Sequence, residues 1–517
     1  MALANFIDRA ATSASQVLAN FELQPFLERL DNHVVGIGFD AEAASSPEGR
    51  STLDLAVRLL ARLYPRMAIV PISDMPSDYL IDLEATALAI NPNMKLVRSS
   101  ENVTIALVVG WTTTPFSCHT FYIGSNGWRV LLSNTAPVGS GVSGNPVGAG
   151  AGACLGAANV FRTIFAPQLE NGDPDKEVNL SMLTFTTDTD LADAAAEREV
   201  DIGSTHLVGV GAIGNGFLWA MGRWANIKGE LHMIDHEEVD LTNLQRYVLS
   251  EQKTVGKRKT EMAATHLAST SLNATPHSTN WQGYVAECDN WCFDRVAVAL
   301  DSAKDRIAVQ GPLPKWIVNA WTQESDLGVS RHTFGRGACL ACLYMPAGKT
   351  KDQHEIVAEE LGIPEATLEV RTLLQQGTPV DASFVNRVAS ALGVEFKHLS
   401  KFVGQPLASF HQSAICGGLM LKLTDGKVKV KTVVPMAFQS ALAGIMLAAE
   451  VVKHAMGAAP APTTSTRINL MRPLASHLHD PKSRDTTGRC ICADEDFLAI
   501  YTAKYAYARS KGTCALR

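Results

Sequence analysis

The sequence is short of several things. Its 45 Lys and Arg stand against 52 Asp and Glu, 45 − 52 = −7, spread evenly over 517 residues. Such a balance lacks the one-sided positive field that nucleic acid or an anionic membrane surface attracts, so neither is expected as a partner. Long apolar runs are missing too. The longest uncharged stretch, Val130 to Phe161, is broken by Pro137, Pro146 and many glycines, which makes it a poor transmembrane helix. The opening, Met1 to Gln16, has no basic segment followed by an apolar one, so no secretion leader is expected and a cytoplasmic location is. Ten cysteines are too few for a disulfide scaffold, and their local spacing matters more than their number. What is present is ample core material: 46% apolar against 19% charged residues gives little case for disorder, and the length suits about three domains.

Two unequal copies of one plan run along the chain. The first has a strand over His33 to Asp40, a helix around Leu53 to Leu63, and strands at Met67 to Pro71 and Thr104 to Gly110. The second opens likewise with Thr205 to Gly214, a helix, and a strand at Leu231 to Asp235. A polar helix is expected over Leu267 to Thr279, then a strand at Val296 to Asp301. Each copy closes with a Pro-started, small-residue helix, Asn145 to Phe165 and Val434 to His454, and a strand, Glu177 to Phe185 and Thr466 to Pro473. Strands alternating with helices predict α/β architecture with mainly parallel sheets. Between Pro346 and about Gln412 the pattern turns to short amphipathic helices, read as an insertion in the second copy.

Chemistry concentrates in the second copy. Gly209, Gly211 and Gly214 form a GxGxxG between a strand and a helix, where free N–H groups receive phosphate oxygens. Asp235, ending the next strand, is placed for a ribose hydroxyl. That motif alone leaves NAD and ATP both open. Arg246 and Lys259 follow, and two cations just beyond the ribose acid suit a triphosphate, whose charge they offset in a transition state. Asp301, at the end of a parallel strand, is placed for a Mg²⁺ bridging phosphate oxygens.

In this order, Gly209 to Gly214, Asp235, Asn243 to Arg246, Lys259 and Asp301 resemble the adenylation site of the ThiF/MoeB/ubiquitin-activating enzyme superfamily. Arg306 also falls where that family often has arginine. The departures are Tyr247, where glutamine is common, and Glu237, where aspartate is; neither removes a charge. The resemblance implies two Rossmann-like adenylation domains, the first degenerate because it lacks a full GxGxxG and the Asn243–Arg246 run. It implies an inactive domain over 1–195, an active one over 196–345 and 416–517, and a helical catalytic-cysteine insertion over 346–415. Implied nucleotide contacts are Gly209, Gly211, Gly214, Asp235, Glu237, Asn243, Arg246, Lys259 and Asp301, with ATP and Mg²⁺ as cofactors. Cys339, Cys342, Cys490 and Cys492 stand where relatives hold structural zinc, a fit for soft sulfur ligands.

Cys416 lies where the family's thioester-forming cysteine occurs, with His411 and Lys401 as candidate helpers. Cys288 and Cys292 read as packing residues in a helix-like segment. The implied activity is ATP-dependent adenylation of a ubiquitin-like protein ending in Gly, then thioester transfer to a conjugating-enzyme homologue, as in bacterial operons that include antiphage systems. Rival readings are a ThiF/MoeB-type adenylyltransferase for sulfur transfer or small-substrate modification without a thioester, an NAD-dependent oxidoreductase, and a non-catalytic scaffold. Whether the chain forms a homodimer is left open, as is whether Arg9 reaches the ATP site from the N-terminal half.

Overall fold

The computed structural model describes residues 3–72, 77–187, 199–324, 326–345, 352–416, 419, 433–458, 464–474 and 481–511. Two seven-stranded sheets share one plan. The first comprises β1 (Val35–Phe39), β2 (Arg66–Pro71), β3 (Lys95–Leu96), β4 (Ile105–Val109), β5 (His119–Asn126), β6 (Arg129–Ser133) and β7 (Glu177–Ser181). The second comprises β8 (Val200–Val208), β9 (Ile227–Ile234), β10 (Ser271–His277), β11 (Arg295–Val298), β12 (Ile317–Thr322), β13 (Leu327–His332) and β14 (Ser465–Ile468). Spatial order is β3-β2-β1-β4-β5-β6-β7 in one and β10-β9-β8-β11-β12-β13-β14 in the other. In each, the first five strands of that order run parallel and the last two pairings are antiparallel. The chain thus holds two Rossmann-like α/β units, and the expected duplication is present strand for strand.

Central strands explain themselves. β1 and β4 are buried along their whole length, as a sheet covered on both faces demands of apolar residues. The two small-residue helices, Val147–Ile164 and Ala437–Ala455, are buried almost throughout. Their glycines permit close approach: a Cβ on Gly444 would lie 2.2 Å from the Ile213 carbonyl oxygen, and one on Gly150 2.5 Å from the Trp219 ring. The first of these contacts lies within the second half, the second crosses between the halves, and one apolar core runs through both sheets.

The expected helix over Leu267 to Thr279 is a correction. A helix does end there (Lys259–Leu267), but Ser271–His277 is β10, paired in parallel to β9. It is an edge strand with a single paired side, so its residues alternate between Leu272, which is buried, and exposed Ser271 and Asn273. The polarity that suggests a solvated helix comes from that edge position. Cys288 likewise lies just past a helix, Trp281–Glu287, rather than within one.

The insertion is helical as expected, with Gln353–Glu360, Thr367–Gln376, Ala382–Ala391 and Leu407–His411 as its main helices. Val370, Phe384, Val388, Leu399 and Phe410 close a core of their own, separate from that of the sheets. Asp381 caps the third helix by accepting from the Phe384 N–H at 2.7 Å. Among the described residues, no helix is long and apolar enough to cross a membrane.

Candidate functional site

The site is built where β8, β9 and β11 end side by side. The chain leaves β8 toward β9 and leaves the adjacent β11 toward β12, in opposite directions, which opens a crevice at the strand ends. The three glycines have different reasons to be glycine. Gly209 adopts φ +96°, and a Cβ there would meet the Ala299 carbonyl oxygen at 2.7 Å. On Gly214 a Cβ would lie 2.4 Å from the Gly209 carbonyl oxygen. Gly211 caps the helix Ala212–Met221, and its nearest neighbour in that direction is the Tyr247 hydroxyl at 3.5 Å. Two glycines let the loop fold, and the third leaves room before a helix N-terminus.

Asp235 stands just beyond β9 and braces that loop. One carboxylate oxygen accepts from the Val210 N–H at 2.8 Å and the other from the Glu237 N–H at 2.9 Å. Each oxygen keeps a lone pair for a further donor. A capped turn, Leu241–Gln245, comes next. The Asp240 carboxylate accepts from the Thr242 N–H at 2.8 Å, and Asn243 Oδ1 accepts from the Asp240 N–H at 2.9 Å. Asn243 therefore shapes the turn that presents Arg246.

Two cations face this space. Lys259, 3% exposed, pairs with Glu237 and donates to the Tyr247 hydroxyl at 3.0 Å. Burial alone would lower the Lys259 ammonium, but Tyr247, Asp235 and Glu237 hold it above its ordinary value, so it stays charged. Burial would likewise raise the Glu237 carboxyl, yet Lys259, His236 and Arg246 bring it below its usual range. The Arg246 guanidinium lies 5.6 Å from the Tyr247 ring centroid, and its buried Nη1 has no hydrogen-bond partner among the described residues. An unpartnered buried guanidinium nitrogen is costly, and an anionic ligand oxygen would satisfy it. The donor set fits a nucleotide phosphate chain.

Asp301 is exposed, just past β11. Arg306, on the helix Ala303–Val309, donates to the Leu300 carbonyl at 2.9 Å and to the Tyr344 hydroxyl at 2.5 Å, so it secures the Asp301 turn. Sequence reasoning missed Asn215. Fully buried, its amide donates to the Val210 and Gly211 carbonyls at 3.0 and 2.9 Å, while Oδ1 accepts from the Leu249 N–H at 3.2 Å. It staples the glycine loop to the segment after Arg246. A lone Asn in an otherwise apolar helix start was the available signal.

The equivalent place in the first half is filled from within. Asp40, after β1, accepts from the Ala43 and Trp111 N–H groups, both at 2.8 Å. A Cβ on Gly110 (φ +113°) would lie 2.3 Å from that carboxylate. The chain's own anion thus sits at the helix start there.

Elsewhere, the Cys339, Cys342, Cys490 and Cys492 sulfurs lie within 4.8 Å of one another, five of the six pairs at 3.4 to 3.8 Å. Zn–S bonds of about 2.3 Å in a tetrahedron require sulfurs about 3.75 Å apart, so the four fit one zinc ion. Cys416 ends the short turn Gln412–Cys416, and its side chain lies outside the described residues. His411 is engaged by Glu360 at 2.6 Å, and Lys401 is exposed. Arg9 is buried on the helix Ile7–Val17.

Residues 191–491, more than half of the chain, match the family model described as ThiF family. The chain belongs to the ThiF family. Residues 38–166, from β1 through the helix Val147–Ile164, match a second model, prokaryotic E2 family C. A curated relative from Sinorhizobium fredii, the uncharacterized protein y4jF, is 57% identical over 507 residues, 98% of each chain. Among solved structures, Escherichia coli MccB with MccA-N7isoAsn is 15% identical with a TM-score of 0.36, covering 55% of this chain and 66% of that one. MccB with AMPCPP and selenomethionine MccA gives 15% and 0.34, covering 55% and 65%. The chain thus spans just under two-thirds of those structures' length. It carries the adenylyltransferase fold of the ThiF enzymes, which use ATP and Mg²⁺.

Proposed function

We propose that the chain activates the C-terminal carboxylate of a ubiquitin-like protein by adenylation and then carries it as a thioester on Cys416. The observation that supports this most is the pairing of Lys259, buried and charged, with Arg246, whose Nη1 lacks a partner, beside the open start of the Gly211 helix. In this reading the loop N–H groups and Gly209, Gly211 and Gly214 cradle the nucleotide. Asp235, with Glu237 and Asn243 shaping its surroundings, receives the ribose. Asp301 holds Mg²⁺, which supplies charge neutralisation when bound. The partner's carboxylate oxygen attacks the α-phosphorus and pyrophosphate leaves, giving an acyl-adenylate. Arg246 and Lys259 stabilise the phosphate charge that builds in that step. The Cys416 thiolate then attacks the acyl carbon and AMP leaves, which readies the acyl group for a conjugating-enzyme homologue.

The first half is taken as non-catalytic, because Asp40 occupies its helix start. The helical unit is taken as the carrier of the nucleophile. Pyrophosphate exchange and adduct formation test these roles together. Asp301→Ala should cut ATP–pyrophosphate exchange at least a hundredfold with the melting temperature unchanged. Cys416→Ala should keep exchange and lose an adduct with the partner that added thiol cleaves by acyl transfer. Exchange without any adduct in the wild-type chain would instead support an adenylyltransferase that forms no thioester.

A further inference from the structure

Two segments must hold still for the proposed site to work: the helix starting at Gly211 and the loop carrying Arg246 and Tyr247. Both are tied to the same helix of the first half, Pro47–Leu60, and to the turn that follows it. Arg62, fully buried, donates to the Tyr247 carbonyl at 2.6 Å, the Ser250 carbonyl at 2.8 Å and the Arg58 carbonyl at 2.5 Å. Arg58, one turn earlier, donates to the Val248 carbonyl at 3.3 Å and faces Glu251 at 3.6 Å. Three backbone carbonyls of one short loop are thereby held by two arginines from the other half of the molecule.

The second segment closes the circuit. Arg58 is itself fixed by Asp54 at 3.0 Å. Asp54 accepts from Trp219 Nε1 at 2.9 Å and pairs with Arg223 at 2.5 Å, and these two lie on and just past the helix that begins at Gly211. Asp54, Arg58 and Arg62 therefore connect the glycine helix to the Arg246 loop from outside the second sheet, while Asn215 connects them from inside.

We propose that Arg62 and Arg58 are positioning residues that set the Arg246–Tyr247 segment against the glycine loop, and that this is what the first half contributes to catalysis. The proposal rests on the adenylation reading above. The loop's backbone faces the first half, while its side chains, Arg246 stacked by Tyr247 and Tyr247 bonded to Lys259, serve the site. A one-ångström drift of such a loop would misplace both cations at once, and catalytic geometry tolerates little of that.

The test compares Arg62→Met and Arg62→Lys with Trp128→Ala, whose ring packs 5.5 Å from that of Trp224 across the same interface and away from the loop. ATP–pyrophosphate exchange is measured well below each melting temperature, with kcat and KM for MgATP taken separately. Arg62→Met should lower kcat tenfold or more with KM within threefold, Arg62→Lys should recover part of it, and Trp128→Ala should lose melting temperature but keep kcat. A kcat within twofold of wild type in Arg62→Met, or an equal loss in Trp128→Ala, would overturn the proposal. Where Arg62→Met does not fold, Arg58→Met, which frees the Val248 carbonyl, is read on the same criterion. Amide hydrogen exchange over residues 243–250, without nucleotide, should speed up in the Arg62 variants, and unchanged protection would also overturn it. A wild-type chain without pyrophosphate exchange would sink the adenylation reading, while the amide measurement still decides whether Arg62 fixes the loop.

Discussion

Within six residues the glycine loop separates folding from ligand access. Gly209 has a left-handed backbone and a carbonyl pressed against its missing side chain, so Gly209→Ala should cost about 1–3 kcal/mol of stability. Gly211 has an extended backbone that any residue adopts, with a 3.5 Å clearance, so Gly211→Ala should leave the melting temperature within a few degrees. The same change should raise KM for MgATP at least tenfold, because its methyl group lies before the helix start. Thermal melts and exchange kinetics on the two variants check the contrast. These glycines, Asp235, Arg246 and Lys259 were legible because strand, turn and acid follow each other in the chain. Asn215 and Tyr247 were not, since their roles depend on contacts across more than ten residues that no local spacing encodes.

At the scale of elements, the four-cysteine cluster joins pieces distant in sequence. Cys339 caps the helix Leu340–Tyr344 and Cys342 lies within it, while Cys490 and Cys492 precede the helix Glu495–Lys511. That last helix lays Phe497, Leu498 and Tyr501 against the cluster, alongside Leu313 and Phe334. Metal analysis should find about one zinc per chain. Cys490→Ser should lose it and expose the C-terminal helix to limited proteolysis, with pyrophosphate exchange reduced less than twofold. Retention of zinc in that variant would remove the cluster from the account. The spacing of these cysteines was readable, whereas β10 was not. An edge strand with one buried residue among polar ones has almost the composition of a solvated helix, and only its pairing with β9 distinguishes them.

For the whole molecule, acid should be the weakness. Burial, chiefly, pushes the His206 and His266 imidazoles down to about 3, and those of His332 and His454 to about 4, from 6.5. Burial would raise Glu450, but Lys453 and Arg331 bring it down to about 2. In every case the unfolded chain binds more protons than the folded one between the two values, so stability is full above pH 6.5 and is lost as pH falls toward 3. Melting temperature should be flat from pH 7 to 8 and fall steadily from about pH 6.5 to 4. His206→Phe should flatten the upper part of that slope, and a wild-type profile that rises on acidification would refute the assignment.

The duplication itself was legible because strand order repeats. The way the halves grip each other was not: Asp54, Arg58 and Arg62 read in sequence as ordinary charges on a helix, and only folding buries them against a distant loop. The helical unit over residues 352–416 stands apart from this shared interior, since it meets its own apolar demand. It can therefore be rewritten, lengthened or exchanged for another module while the machinery beneath keeps its shape.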